Sequence, residues 1–244
     1  MKVQQARWSR WFACSLCEQE YHGVVGCALG WACWKTYVGR PEADEIRGSA
    51  MGMLGNRLSD AKYYKDALSV QEADLSTMRR LGASETDILI AQGNLAITYT
   101  ALGRDESALQ MKRDVYSGSL KLHGEEHENY LMAAINYASA LHDLKQDHEE
   151  AKSMMRKTIP VARRAFGDGH EVTLKMRWIY ARALCEAAGA LLADLHEAVA
   201  TLEDAERIAR RVFGSTHPIA VGLEHQLQNV RAWLARKTPS PGSV

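Results

Sequence analysis

The sequence has no surplus of charge of either sign: 244 residues carry 30 Lys and Arg against 30 Asp and Glu. Nucleic-acid binders show a basic face or stripe, so this balance argues against nucleic acid as a partner. Long hydrophobic runs are missing too. The longest spans residues 24–34 and is closed by Lys35, well short of the roughly 18 apolar residues that a membrane-crossing helix needs. Only a broken apolar stretch follows Lys2, Arg7 and Arg10, poor material for a secretory signal. Five cysteines is an odd number, which disfavours a disulfide framework and suits the reducing cytoplasm. Catalytic signatures are lacking: no Gly-x-Ser-x-Gly, phosphate loop or His-Glu-x-x-His occurs. Neither an enzyme nor a cofactor is expected.

What the chain does have is a period. Gly82, Gly124, Gly167 and Gly214 stand 42, 43 and 47 residues apart, and the last three each open a Gly-x-x-His motif that ends at His127, His170 or His217. Other landmarks keep the same beat, Asn94 to Asn136 and Ala108 to Ala151. Repeats of roughly 20–50 residues signal a solenoid, in which each unit buries its apolar face only by stacking on its neighbours.

Each unit reads as two helices. Ile90, Leu95, Ala96, Tyr99 and Leu102 fall at the spacing of one amphipathic helix, Gly103 interrupts it, and Ala108, Leu109, Met111, Val115 and Leu120 mark a second that stops at Gly124. Small residues recur at Ala96, Ala138 and Ala181, and at Ala108, Ala151 and Ala198, where paired helices must approach closely. The expected layout is an N-terminal Trp- and Cys-rich helical segment over 1–40 and an array of antiparallel helix pairs over 41–236. Its units span about 47–82, 87–124, 127–167 and 170–214, with a capping helix at 218–235. The last unit's extra residues are placed in a loop at 187–192. A Pro-, Ser- and Gly-containing tail, 237–244, reads as disordered.

The 42-residue step, the segment Asn94-Leu95-Ala96, the run Glu106-Ser107-Ala108-Leu109 and the sequence Gly214-Ser215-Thr216-His217-Pro218 resemble the tetratricopeptide repeat, and more narrowly its kinesin light chain type. Segments 21–25 and 28–34 look like those of algal proteins of the same repeat type. The resemblance covers about residues 47–235. It implies an all-α, right-handed α-solenoid that serves as a protein-binding scaffold. No long heptad segment precedes the repeats, so association with a motor is not expected.

In an array of helix pairs the first helices line the concave binding face. Asn94 and Asn136 share one place on those helices, where an amide can both donate to and accept from a peptide backbone. The resemblance places ligand contacts at the same position. The fourth unit has Ile179 there instead, but its first helix supplies Lys175, Arg177 and Arg182, cations suited to an acidic peptide. The expected partner is therefore a protein or peptide ligand, acidic in character.

A competing reading is a zinc-binding adaptor with Cys14, Cys17, His22 and Cys27 as ligands, since Cys-x-x-Cys is the usual half of a tetrahedral site. Cys27 and Cys33 are spaced so that an ideal helix turns them roughly 120° apart, which favours ordinary packing. The tryptophans Trp8, Trp11, Trp31 and Trp34 are expected to pack the N-terminal helix onto the first repeat. Each Gly-x-x-His histidine lies one repeat from the next, about 10 Å away when helix pairs stack. They read as loop or helix-start residues. A nucleophilic role for Cys33 or Cys185 lacks any placed base.

Overall fold

The computed structural model describes residues 8–17, 19–144, 147–186 and 190–237. Among them are ten helices and no sheet: α1 (Gly23–Tyr37), α2 (Glu45–Asp60), α3 (Tyr64–Leu81), α4 (Glu85–Ala101), α5 (Asp105–His123), α6 (Glu128–Asp143), α7 (His148–Phe166), α8 (Glu171–Glu186), α9 (Leu192–Phe213) and α10 (Pro218–Lys237). They form two compact units, Met1–Met111 and Lys112–Val244, divided within α5.

In the first unit α1 packs on α2, α2 on α3, and α3 on α4. The N-terminal segment is not set apart from the repeats. Trp11 and Cys33 share a buried cluster with Ala50 and Met53 of α2, and Trp8, Phe12, Trp34 and Tyr37 pack around it. Trp31, by contrast, is 42% exposed. Close approach of α1 to α2 depends on small residues: a Cβ at Gly30 would lie 3.1 Å from the Arg57 side chain. Asp44 and Ser84 start α2 and α4 by accepting the N–H groups of Ile46 and Asp87 respectively, the usual service of a capping side chain. Gly82 ends α3 in the left-handed conformation, φ 70°, which glycine adopts without a Cβ penalty.

In the second unit α6 packs on α7, α7 on α8, α8 on α9, and α9 on α10. Helix α8 also touches both α6 and α10, so the first helices of successive pairs lie side by side. Ala138, Ala151, Ala181 and Ala198 are fully buried, at the sites where the repeat demanded small residues. Trp178 of α8 lies directly over Gly222 of α10, where a Cβ would stand 2.0 Å from the indole. The closing helix thus seats on α8 through the lack of a side chain. The loop expected at 187–192 falls partly on 187–189, and the tail beyond Lys237 lies outside the described residues.

Candidate functional site

Each repeat joint of the second unit is a small machine built from the Gly-x-x-His motif. Gly124, Gly167 and Gly214 have φ of 80°, 89° and 89°, and at Gly167 and Gly214 ψ is 167° and 164°, a region reserved for glycine. That turn brings the histidine three residues on back over the last helical residue. The ring pairs His123–His127, Phe166–His170 and Phe213–His217 stack with centroids 4.3, 4.8 and 4.6 Å apart. Each histidine then starts the next helix: Nδ1 accepts the N–H of Asn129, Val172 or Ile219. The three histidines are helix-start residues, as the sequence suggested.

On α4 the positions 90, 94, 97 and 101 share one face. Asn94 is half-buried there between Ile90 and Ile97, which are 49% and 47% exposed. Sequence periodicity had counted Ile90 with the buried stripe, and the structure turns it outward. On α6 the matching face carries Met132, Asn136 and Ser139, all half-buried, and the exposed Asp143. Among the described residues neither asparagine amide takes part in an intramolecular hydrogen bond.

The three cations of α8 meet different fates. Lys175 pairs with Glu171 one turn earlier at 2.6 Å, and its hydrogen bond is the main influence holding that carboxyl below its usual range. Arg182 bridges to Asp143 of α6 at 2.6 Å. Both are partly exposed pairs, worth less than about 1 kcal/mol, and open at little cost. Arg177 is 8% exposed and turned into the α8–α9 packing, where it donates to Asp204 at 2.7 Å and to the Thr201 carbonyl at 3.2 Å. Its hydrogen bond is the main influence that lowers the Asp204 carboxyl. Only the guanidinium end of this pair is buried, and leaving it without its carboxylate costs more than breaking a pair exposed at both ends.

The four residues of the zinc reading are not gathered. Cys27 is packed with Leu54, Leu58 and Ala67, while His22 precedes α1 with no side-chain capping bond. Among the described residues no group of three or more His, Cys, Asp or Glu could hold a metal ion. None of the described helices is long and apolar enough to cross a membrane.

A further polar cluster, invisible in the sequence pattern, lies buried in the first unit. The Thr98 hydroxyl donates to the Gln71 amide oxygen at 2.7 Å, and the Gln71 nitrogen donates to Asn56 at 3.2 Å. One turn past Gln71, Asp74 is buried without a hydrogen-bond or ion-pair partner among the described residues, and burial pushes its carboxyl up to about 6.

Comparison with known proteins agrees with this geometry. Residues 87–164 match the tetratricopeptide repeat family model. No curated protein matches the chain by sequence. Among solved structures, the nearly identical TPR-like repeats of a Podosopora anserina protein assigned as a kinesin light chain align with TM-score 0.63 at 21% identity, over 81% of this chain and 98% of that one. BtubC (BKLC) from P. vanneervenii aligns with TM-score 0.55 at 16% identity, over 89% of this chain and 94% of the other. A Rap protein complexed with competence and sporulation factor aligns with TM-score 0.55 at 14% identity, over 88% of this chain and 60% of that one. The fold is thus the TPR-like helix-pair solenoid, similar to kinesin light chain-type repeats, an architecture that commonly serves protein–protein interaction.

Proposed function

We propose that this chain, with tetratricopeptide-type repeats over residues 87–164, is a non-enzymatic cytoplasmic scaffold that holds an extended peptide segment of a partner protein against the first helices of its repeats. The observation that carries the proposal is the pair of half-buried asparagine amides, Asn94 and Asn136, at the same register position of α4 and α6, for which the described residues supply no hydrogen bond. A polar group with unmet donors and acceptors in a half-desolvated setting gains from a peptide backbone, whatever that peptide's side chains. Ile90 and Ile97 beside Asn94 offer apolar contact, and Lys175 and Arg182 on α8 offer charge to acidic side chains. Arg177 anchors α8 on α9 behind that face.

The test is selection from a displayed peptide library, followed by affinity measurement with the wild type and an Asn94→Ala, Asn136→Ala double variant of equal helicity. Selected peptides are expected to lose about tenfold or more in affinity for the variant, in keeping with two hydrogen bonds of about 1 kcal/mol each. Peptides that bind both proteins equally would remove the asparagines from the site. Enrichment in Asp and Glu, weakened by Lys175→Ala with Arg182→Ala, is the sign expected of the acidic preference.

A further inference from the structure

Three of the five thiols are sealed in the protein, and two are not. Cys27, Cys33 and Cys185 are buried, Cys14 is partly exposed and Cys17 is exposed. Burial pushes the Cys33 thiol up to about 11 and raises Cys27 as well, which makes these two poor nucleophiles because the thiolate is the reactive form.

Cys14 and Cys17 occupy a closed loop just before α1. The Cys14 N–H donates to the Gln19 carbonyl at 2.9 Å, and the Tyr21 N–H donates to the Phe12 carbonyl at 2.8 Å. Ala13 and Glu20 form an antiparallel bridge between these bonds. The loop is anchored at its base, since Phe12 meets Trp8 in a tilted ring contact and packs against the Trp11–Cys33 cluster. Inside it, the sequence Cys14-Ser15-Leu16-Cys17 turns back on itself. The backbone N–H groups of Cys17 and Leu16 in this turn are the main influence lowering the Cys14 thiol below its ordinary value. Leu16 stands at the tip, 93% exposed.

We propose that Cys14 and Cys17 form a reversible dithiol–disulfide couple that exchanges with an external disulfide, Cys14 as the attacking thiolate and Cys17 as the resolving thiol. In the first step the Cys14 thiolate attacks one sulfur of an external R–S–S–R′, forming a Cys14–S–S–R bond and expelling R′S⁻. The Cys17 thiol then loses its proton to solvent and its sulfur attacks that of Cys14. The Cys14–S–S–Cys17 bond forms, and RS⁻ leaves. The two expelled thiolates take up the two protons given by Cys14 and Cys17. The protein is oxidised by two electrons and the external disulfide is reduced by two.

The geometry contains the parts this needs: an i, i+3 pair in a turn, a base pinned by two backbone hydrogen bonds and a bridge, and two thiols that are not buried. The N–H groups of the turn bring the Cys14 thiol down to about 7, close to ambient pH, where attack is fastest. Leu16 gives an incoming polypeptide an apolar landing point beside the sulfurs.

The full chain, reduced and desalted, is first alkylated with iodoacetamide at pH 7, folded and in urea, and the labelled cysteines are mapped by mass. About half of Cys14 is ionised when folded, against about one part in a hundred for an ordinary thiol. After allowing for its lower intrinsic nucleophilicity, Cys14 is expected to react about fivefold faster in the folded chain than in urea. Equal rates would overturn the proposal.

Reduced protein is next treated with glutathione disulfide, and in parallel with a short peptide bridged to a second copy by one cystine. The wild type is expected to lose two hydrogens and gain no adduct, reversibly with dithiothreitol. Cys17→Ser is expected to stall with the oxidant's half bound at Cys14. Faster oxidation by the peptide assigns polypeptide disulfides as substrate; faster oxidation by glutathione disulfide assigns low-molecular-weight ones. Inertness to both, a wild type that stops at the mixed disulfide, or stoichiometric zinc that shields both thiols would each overturn it.

Discussion

One turn beyond the buried alanine of its second helix, the first unit places Gln71, where the second unit places Met155 and Leu202; a further turn on it places Asp74, where the second has Thr158 and Ala205. All six are buried. In the second unit these positions are filled by packing, apart from Thr158, which satisfies its hydroxyl on the Met154 carbonyl of its own helix. The first unit fills them with groups that demand partners. Gln71 finds Thr98 and Asn56, and Asp74 finds none among the described residues. One repeat plan therefore tolerates both a dry and a wired core. The wired one gives up stability in exchange for groups that must be aligned.

Exchanging the two chemistries tests that difference most strongly. Leu202→Gln strands an amide in a fully buried apolar site and is expected to cost about 3 kcal/mol in denaturant unfolding, from lost burial plus unmet hydrogen bonds. The reverse change, Gln71→Leu, is expected to cost no more than about 1 kcal/mol, because the Thr98 hydroxyl keeps Ser59 Oγ at 3.2 Å. Similar losses at the two sites would show that the units do not differ in this way.

Asp74 gives the next largest effect. Its folded-state carboxyl is raised to about 6 from an ordinary 3.8, so the folded chain binds the proton more tightly than the unfolded one. The group therefore favours folding below about pH 4, and that advantage is lost as pH rises through about 6. Asp74→Val is expected to stabilise by about 2 kcal/mol at pH 7, with most of the gain gone by pH 4. A gain independent of pH would mean that the carboxyl is not the cause.

The smallest effect compares the joints. Ser84 caps α4 through its hydroxyl and His170 caps α8 through its ring. Ser84→Ala is expected to cost about 1 kcal/mol, read by thermal melting beside His170→Ala. The histidine change should cost more, because it also removes the stack on Phe166.

Much of this architecture was legible because it rests on residues with few substitutes. Only small side chains fit at Ala138 and Ala181, and only glycine is at ease at Gly167 and Gly214, so their spacing showed in the bare sequence. The Trp-rich segment's docking on the first repeat was legible for a similar reason: Trp8, Trp11 and Trp34 have few places to go but a core.

Facing was harder to read. Arg177 and Arg182 lie five residues apart on one helix, and only the position of α9 decides that the first is buried against Asp204 while the second reaches Asp143. Ile90 fits an amphipathic stripe by count, yet the stripe is rotated so that it meets solvent. Gln71 and Asp74 carry no signal in the sequence, because nothing local shows that α2 closes over them, with Gly52 and Gly55 letting the backbone approach. Cys14, Cys17, His22 and Cys27 are neighbours in sequence, but Cys27 sits on the inward side of α1.

The Gly-x-x-His joint finds every partner it needs within seven residues, from the ring before the glycine to the amide two past the histidine. Its further contacts run one repeat on, Glu126 to Arg164 and Gly169 to Val212, and so recur with the period. Excising residues 125–167 would leave His123 and Gly124 followed directly by Asp168-Gly169-His170, the same joint made from the halves of two others. Copy number in such a chain is a free variable: whole repeats can be lost or duplicated in frame without redesigning a corner, and the length of its binding face can drift while the geometry of each step stays the same.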